Sequence, residues 1–435
     1  MKIDLDYNIN NMEDKILTMF FSPDRWEAAI EKGVGKDINK AYLYQLTKEE
    51  TRIRIYELMK AGKYEIAPPH TAQIPKDTPG EFRTVYINEP VDRVVLSIAN
   101  DLLFELTPDR IHPSCKAYRK GIGCGMVVQQ IAEKSHKVST EILGWKSDLS
   151  KYFDSVPIQF IDKQFDMVEE RYGKSAVIDV LRKYYHSDLY FDTDGNLQST
   201  YQSLKQGCSV ASWLADVILF DIDTKLSELG EYVRYSDDML FVGDQYLQGM
   251  NVLTEELGKM DMKLNPKKVE YLERGKWFKF LGFSLNLGKD KDNITLAKSR
   301  IKTFQKEIEA RTIKKRGTTF QKALNAVNRY LYKGNGQFSW ATQVLPIVTV
   351  KKDIDELNKF VMDALRAVKT GKMKIGGLGY VRDKADGCIV RGIGKNVRAN
   401  REKTGDDLGD YLSIGCMMNA IKTRKAVYNT LVAQM

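Results

Sequence analysis

Two acidic groups in the 435-residue chain stand where apolar runs end. Asp148 closes the run that begins at Ile142, while Asp237 and Asp238 lie between Tyr232-Val233-Arg234-Tyr235-Ser236 and Met239-Leu240-Phe241-Val242. Neighbouring carboxylates repel and raise one another's pKa, a cost that a hard cation removes. Phosphoryl transfer uses such cations in pairs about 3.5–4 Å apart, one activating the attacking hydroxyl and one stabilising the leaving group. Ser-Asp-Asp by itself is equally good turn chemistry, so the doublet acquires meaning only from its context.

Lys76 and Arg83 are seven residues apart in a basic stretch. A lysine brings a point charge and an arginine a planar fork, both suited to phosphate oxygens. As a bare pair they also read as solvated hairpin charges. The four histidines (His70, His112, His136, His186) are scattered, and the five cysteines contain no CxxC pair, so neither a zinc site nor a disulfide is expected.

Positioning these groups takes an alternation of strands and helices. Residues 11–62 read as helical, 72–76 and 82–87 as strands around a turn at 77–80, 91–107 as a helix and 142–148 as a buried strand. A helical stretch at 158–186 is followed by the turn Asp192-Thr193-Asp194-Gly195, and 210–226 reads as one long apolar helix. Strand, acidic tip, strand is the reading at 232–242; a helix over 250–260, a hairpin over 277–285 and basic helices from about 295 follow.

The net charge of +9 is unevenly placed: residues 291–435 carry 29 Lys and Arg against 13 Asp and Glu, a surplus of +16 that leaves −7 for the rest. A basic third on a mildly acidic body suits a phosphate backbone. With 43% hydrophobic and 29% charged residues the chain reads as a folded, enzyme-sized protein. No run approaches the roughly 20 apolar residues of a membrane span. The first residues lack a signal-peptide pattern, so the expected location is cytoplasmic, with no membrane partner.

Residues 60–286, about half of the chain, resemble in order and spacing the motif series of the bacterial reverse transcriptases, in the branch of group II intron, defence-associated and unknown-group enzymes. Asp148 matches the first catalytic motif, Gln206-Gly207 the second, and Tyr235-Ser236-Asp237-Asp238 the third. Leu264-Asn265-Pro266-Lys267-Lys268 resembles the fourth and Phe280-Leu281-Gly282-Phe283 the primer-gripping hairpin. Five matches in order are far more specific than one.

The resemblance implies an α/β (α+β) right hand: an N-terminal helical segment (1–59), fingers (60–140), an antiparallel-sheet palm (141–289, with a finger insertion at about 158–200), a helical thumb (290–370) and a basic extension (371–435). It implies two Mg2+ ions, with Mn2+ as a substitute, on Asp148, Asp237 and Asp238, with Leu149 in the metal and nucleotide set and Asp238 the weaker ligand. Lys76 and Arg83 would clamp the incoming triphosphate, Gln206, Gly207 and Tyr235 would line the nucleotide, and Phe153 would exclude a 2′-hydroxyl unless it is simply core. Lys268 becomes the proton donor to pyrophosphate, in competition with Lys263 and Lys267. Arg119 and Lys120, in a Tyr-Arg-x-Gly-like loop, and Lys298, Arg300, Lys302 and Lys306, on one basic helix, would contact nucleic acid.

The implied partners are dNTPs, an RNA template and the DNA product; the charge of 371–435 points to a structured non-coding RNA, and oligomerisation stays open. The chain lacks a Val-Thr-Gly signature, a Ser-Gln ending to the second motif and paired cysteines after the thumb. By exclusion the expectation is a stand-alone, defence-associated or unknown-group enzyme that copies a dedicated non-coding RNA, with anti-phage defence as its setting. Protein-primed or template-independent synthesis, RNA synthesis, and a non-catalytic maturase-like role are the alternatives.

Overall fold

The computed structural model describes residues 14–35, 38–76, 80–119, 121–333 and 339–370, and two paired strands at Gly379–Arg382 and Ile389–Gly392. The chain forms two compact units. Met1–Tyr118, Trp145–Phe241 and Gln245–Glu270 make the first; Arg119–Gly144, Val242–Asp244 and Tyr271–Met435 make the second. Among the described residues no helix is long and apolar enough to cross a membrane.

The helical start resolves into Lys15–Phe20, Pro23–Lys32, Lys40–Leu46 and Glu49–Lys60. One carboxylate begins two helices: Asp14 accepts from the Leu17 amide at 2.8 Å and, with its other oxygen, from the amide of Ala176 at 2.7 Å, the first residue of the helix Ala176–His186. Amides at helix starts have no partner within the helix, so this satisfies donors at both.

Eight strands follow in the chain: β1 (His70–Pro75), β2 (Phe82–Ile87), β3 (Ile142–Asp148), β4 (Leu189–Phe191), β5 (Leu197–Ser199), β6 (Glu231–Tyr235), β7 (Asp238–Val242) and β8 (Glu270–Glu273). They build two four-stranded sheets, ordered β2–β1–β4–β5 and β6–β7–β3–β8. The first unit holds the ends of the second sheet at which Asp148, Tyr235, Asp238 and Glu270 lie. In the first sheet β1 and β2 are antiparallel, with Ile74 opposite Arg83. The turn read at 77–80 lies outside the described residues at Asp77, Thr78 and Pro79. β4 and β5 form the hairpin expected around Asp192, which accepts from the amides of Asp194 and Asn196, both at 2.9 Å.

In β7 four consecutive residues, Met239 to Val242, are buried, which suits a strand covered on both faces. Trp145 of β3 stacks on Phe241 at 5.5 Å, and its indole N–H donates to the Tyr246 carbonyl at 2.9 Å.

The long helix read over 210–226 is two, Val210–Val217 and Phe220–Leu229. No proline or glycine breaks it. The break follows from a residue far along the chain: the Arg234 guanidinium donates to the carbonyls of Ala215 and Asp216, and the Tyr152 hydroxyl also donates to Ala215. Carbonyls at a helix end are unpaired within the helix, and a buried cation there satisfies them.

In the second unit β9 (Trp277–Phe280) and β10 (Phe283–Leu287) form the expected hairpin, and β11 (Asp292–Leu296) adds a third strand where the sequence suggested the start of a helix. Leu281 and Gly282 both have positive φ, +47° and +78°, as two-residue primed hairpin turns require. Helices Lys298–Arg311, Phe320–Asn328 and Lys351–Thr370 follow.

Candidate active site

The tip between β6 and β7 is two residues, Ser236 and Asp237. Ser236 has φ +61°, a conformation that side chains other than glycine adopt at a cost. Asp148 ends the neighbouring β3, and its side chain is only 9% exposed. These three carboxylates feel one another. Burial, then the charge of Asp148, pushes Asp237 up from the usual carboxylate range. Asp238 is exposed by area, but the protein around its carboxylate, followed by the charges of Asp237 and Asp148, raises it to about 6.

Lys268 supplies the compensating charge. The antiparallel bridge between Leu149 and Leu264 is flanked by bonds from the Asn265 amide to the Asp148 carbonyl (2.8 Å) and from the Ser150 amide to the Lys263 carbonyl (2.9 Å). Asn265 then caps the turn Pro266–Lys268 through its side chain, which accepts from the Lys267 amide. Lys268 therefore projects onto Asp148, Nζ to Oδ2 at 2.5 Å. Burial disfavours its charge, but the bond to Asp148 and the charges of Asp148, Asp238 and Asp237 outweigh that and raise its pKa. Of the three lysines that compete in the sequence, this is the one paired with a site acid.

The donor set suits a hard cation: carboxylates that repel one another, with Lys268 as the counter-ion at Asp148. Among the described residues no three acidic, histidine or cysteine side chains are gathered closely enough to hold an ion as they stand. Leu149 is buried, and the two bonds flanking its bridge use the carbonyls of Asp148 and Lys263.

The β1–β2 hairpin brings its charges to the same place. Arg83 lies near enough to Asp237 to lower its pKa, and Lys76 and Arg83 both act on Asp154. Both side chains are exposed, and Lys76 also pairs with Glu81 at 3.7 Å. Asp154 was not singled out in the sequence; it lies beside Phe153 in the short helix Tyr152–Ser155. Phe153 is half-buried, its ring edge-on to Tyr152 at 5.6 Å and its carbonyl accepting from the Leu204 amide at 3.1 Å. Tyr235 closes β6, half-buried.

Gln206 and Gly207 are bound to β2: the Tyr86 amide donates to the Gln206 carbonyl at 2.7 Å. At Gly207 φ is +108°, and a Cβ there would stand 2.8 Å from the Tyr86 carbonyl oxygen. Glycine is thus required by the approach of another backbone. Ser203 and Lys205 also have positive φ, +52° each. Buried Lys205 steadies this segment, donating to the Ser187 carbonyl at 2.7 Å and to Gln202 Oε1 at 2.5 Å, above the Tyr184 ring. Burial lowers its pKa to about 8.

The remaining residues expected to contact nucleic acid belong to the second unit. Arg119 is exposed, and Lys120 lies outside the described residues. Lys298, Lys302 and Lys306, each four apart, are exposed along the helix Lys298–Arg311. Arg300 differs from them: it is half-buried, over the rings of Phe283 (4.6 Å) and Trp340 (5.6 Å). Most of the basic extension, including Lys372, Lys374, Lys395, Arg398 and Arg401, lies outside the described residues.

Residues 74–285 match the family described as reverse transcriptase (RNA-dependent DNA polymerase). Comparison with curated proteins found no match.

Proposed function

From the premise that residues 74–285 are a reverse transcriptase domain, the mark of an RNA-directed DNA polymerase, a nucleotidyltransferase that takes an RNA template and dNTPs to a DNA product, we propose how this chain's residues divide the work. Reverse transcriptase domains use divalent metal ions. Here Asp148, Asp237 and Asp238, with the Leu149 carbonyl, would hold two, Mg2+ with Mn2+ as a substitute. When bound, such ions supply charge at the attacking hydroxyl and at the leaving pyrophosphate. The observation that carries this reading is the placement of Asp237 and Asp238 at the β6–β7 tip beside the end of β3 that bears Asp148, where burial and then the charge of neighbouring acids raise both carboxylates, a cost best offset by cations.

The protein's own groups do the rest. Lys76 and Arg83 draw the triphosphate to the acids, the arginine as a two-pronged donor and the lysine as a point charge. Lys268, paired with Asp148 at 2.5 Å, would be the proton donor to pyrophosphate. Phe153 lies under the sugar and selects deoxynucleotides. The Gln206-Gly207 segment, tied to β2, backs the forming base pair. In this reading fingers, palm and thumb are assigned to residues 60–140, 141–289 and 290–370, and the exposed stripe Lys298, Lys302 and Lys306 has the role of contacting the template–primer duplex.

A dedicated, structured non-coding RNA is the proposed template, supported by the +16 surplus of residues 291–435, and anti-phage defence in the group II intron-like branch is the proposed setting. The test is primer extension with dNTPs on an RNA template by the wild type and by Asp237→Ala. Loss of extension in a folded Asp237→Ala variant is expected. Undiminished extension would refute the assignment.

A further inference from the structure

Arg234 is a cation in an apolar strand, fully buried between Val233 and Tyr235. All five of its N–H donors are engaged. Nε and Nη2 meet the two carboxylate oxygens of Asp223, itself fully buried, at 2.8 and 2.6 Å. Nη2 also reaches the Asp216 carbonyl at 2.8 Å, and Nη1 donates to the carbonyls of Ala215 at 2.9 Å and Ser236 at 3.1 Å. The last of these belongs to the residue with φ +61° immediately before Asp237. On its other side the Ser236 hydroxyl lies 3.4 Å from the Tyr118 hydroxyl.

We infer that Arg234 is a positioning residue for the catalytic turn: its guanidinium ties the Ser236 carbonyl to the ends of two helices and so fixes the direction in which Asp237 and Asp238 leave the tip. The inference rests on the proposed role of those acids. Stability alone does not account for the arrangement. Burying an ion pair carries a large desolvation cost for each ion, and apolar side chains of similar volume are often as stable. What apolar side chains cannot do is hold a carbonyl in a strained turn. A lysine would keep the charge but not the planar fork that reaches Asp223, the helix end and the tip together.

The test uses the full chain with Arg234→Lys, read by Mn2+ calorimetry as well as by dNTP incorporation. Displacing catalytic groups by about 1 Å costs on the order of 100-fold in rate. A partial release of the tip is therefore expected to lower kcat by about 10- to 100-fold, to weaken Mn2+ binding by about tenfold, and to leave the KM for dNTP within about threefold. Adding Ser236→Gly, which adopts positive φ without a clamp, is expected to restore part of both losses. If Arg234→Lys does not fold, the isosteric Asp223→Asn carries the same readouts. A folded variant with wild-type Mn2+ affinity and kcat overturns the inference, as does a loss that Ser236→Gly leaves untouched. Asp237→Ala run in parallel separates the two claims: Mn2+ binding and activity retained there sink the role of the acids, whereas wild-type behaviour confined to the Arg234 and Asp223 variants sinks the clamp alone.

Discussion

Replacing Gly207 by alanine tests the join between the Gln206-Gly207 segment and the β1–β2 hairpin. The added Cβ would stand 2.8 Å from the Tyr86 carbonyl oxygen and 3.2 Å from its amide nitrogen, both backbone atoms that no rotamer change can move. At φ +108° an L residue is also strained, by about 1–2 kcal/mol. Relief requires pulling β2 away, which breaks the 2.7 Å bond from Tyr86 to Gln206, worth about 0.5–1.5 kcal/mol. Together these give about 1.5–3.5 kcal/mol of lost stability. Gly195→Ala is the control, because φ there is +83° but nothing lies within 4 Å of its Cβ. It should show the strain alone. Urea unfolding of the full chain, followed by tryptophan fluorescence, reads both. Since β2 also carries Arg83, the KM for dNTP should rise in Gly207→Ala and not in Gly195→Ala. If Gly207→Ala is no more destabilising than the control, the approach of Tyr86 is not what demands glycine.

Phe153→Ala should loosen discrimination against ribonucleotides by about tenfold or more, measured as the ratio of kcat/KM for a dNTP and its rNTP; an unchanged ratio leaves Phe153 a packing residue. Lys205 carries a pH signature. Its proton leaves near 8 in the folded chain but near 10.5 in the unfolded one, so between those values the unfolded state binds more protons and stability rises with pH. The wild type should gain stability relative to Lys205→Met across that window in urea titrations, and parallel curves would contradict the burial of a charged amine. Replacing Lys298, Lys302 and Lys306 together by alanine should flatten the dependence of log affinity on log salt for an RNA–DNA duplex by about 2–3, near 0.9 for each phosphate that a lysine no longer neutralises. An identical slope would place the duplex elsewhere.

Local chemistry made much of this readable. The β1–β2 hairpin, the Asp192–Gly195 turn and the β6–β7 tip follow from strand periodicity and turn residues within a few positions of one another. What eluded the sequence was set from a distance. The break at Ile218–Leu219 is made by Arg234, more than a dozen residues later, and the pairing of Lys268 with Asp148 depends on the bridge between Leu149 and Leu264. β4 joins β1 in parallel, with His70 opposite Phe191, a pairing that neither strand's own pattern contains. β11 was hidden by its brevity, five residues running straight into a basic helix. Arg234 itself left one signal: a charged residue inside an otherwise apolar strand, which is rare unless it is paired.

Whether Asp148, Asp237 and Asp238 hold the cations is decided by calorimetric titration of Mn2+ into the full chain with a non-hydrolysable dNTP analogue present. Two ions per chain are expected for the wild type, with tight binding lost in both Asp148→Asn and Asp237→Asn while the variants remain folded. Equal stoichiometry and affinity in all three proteins would contradict that role for the acids.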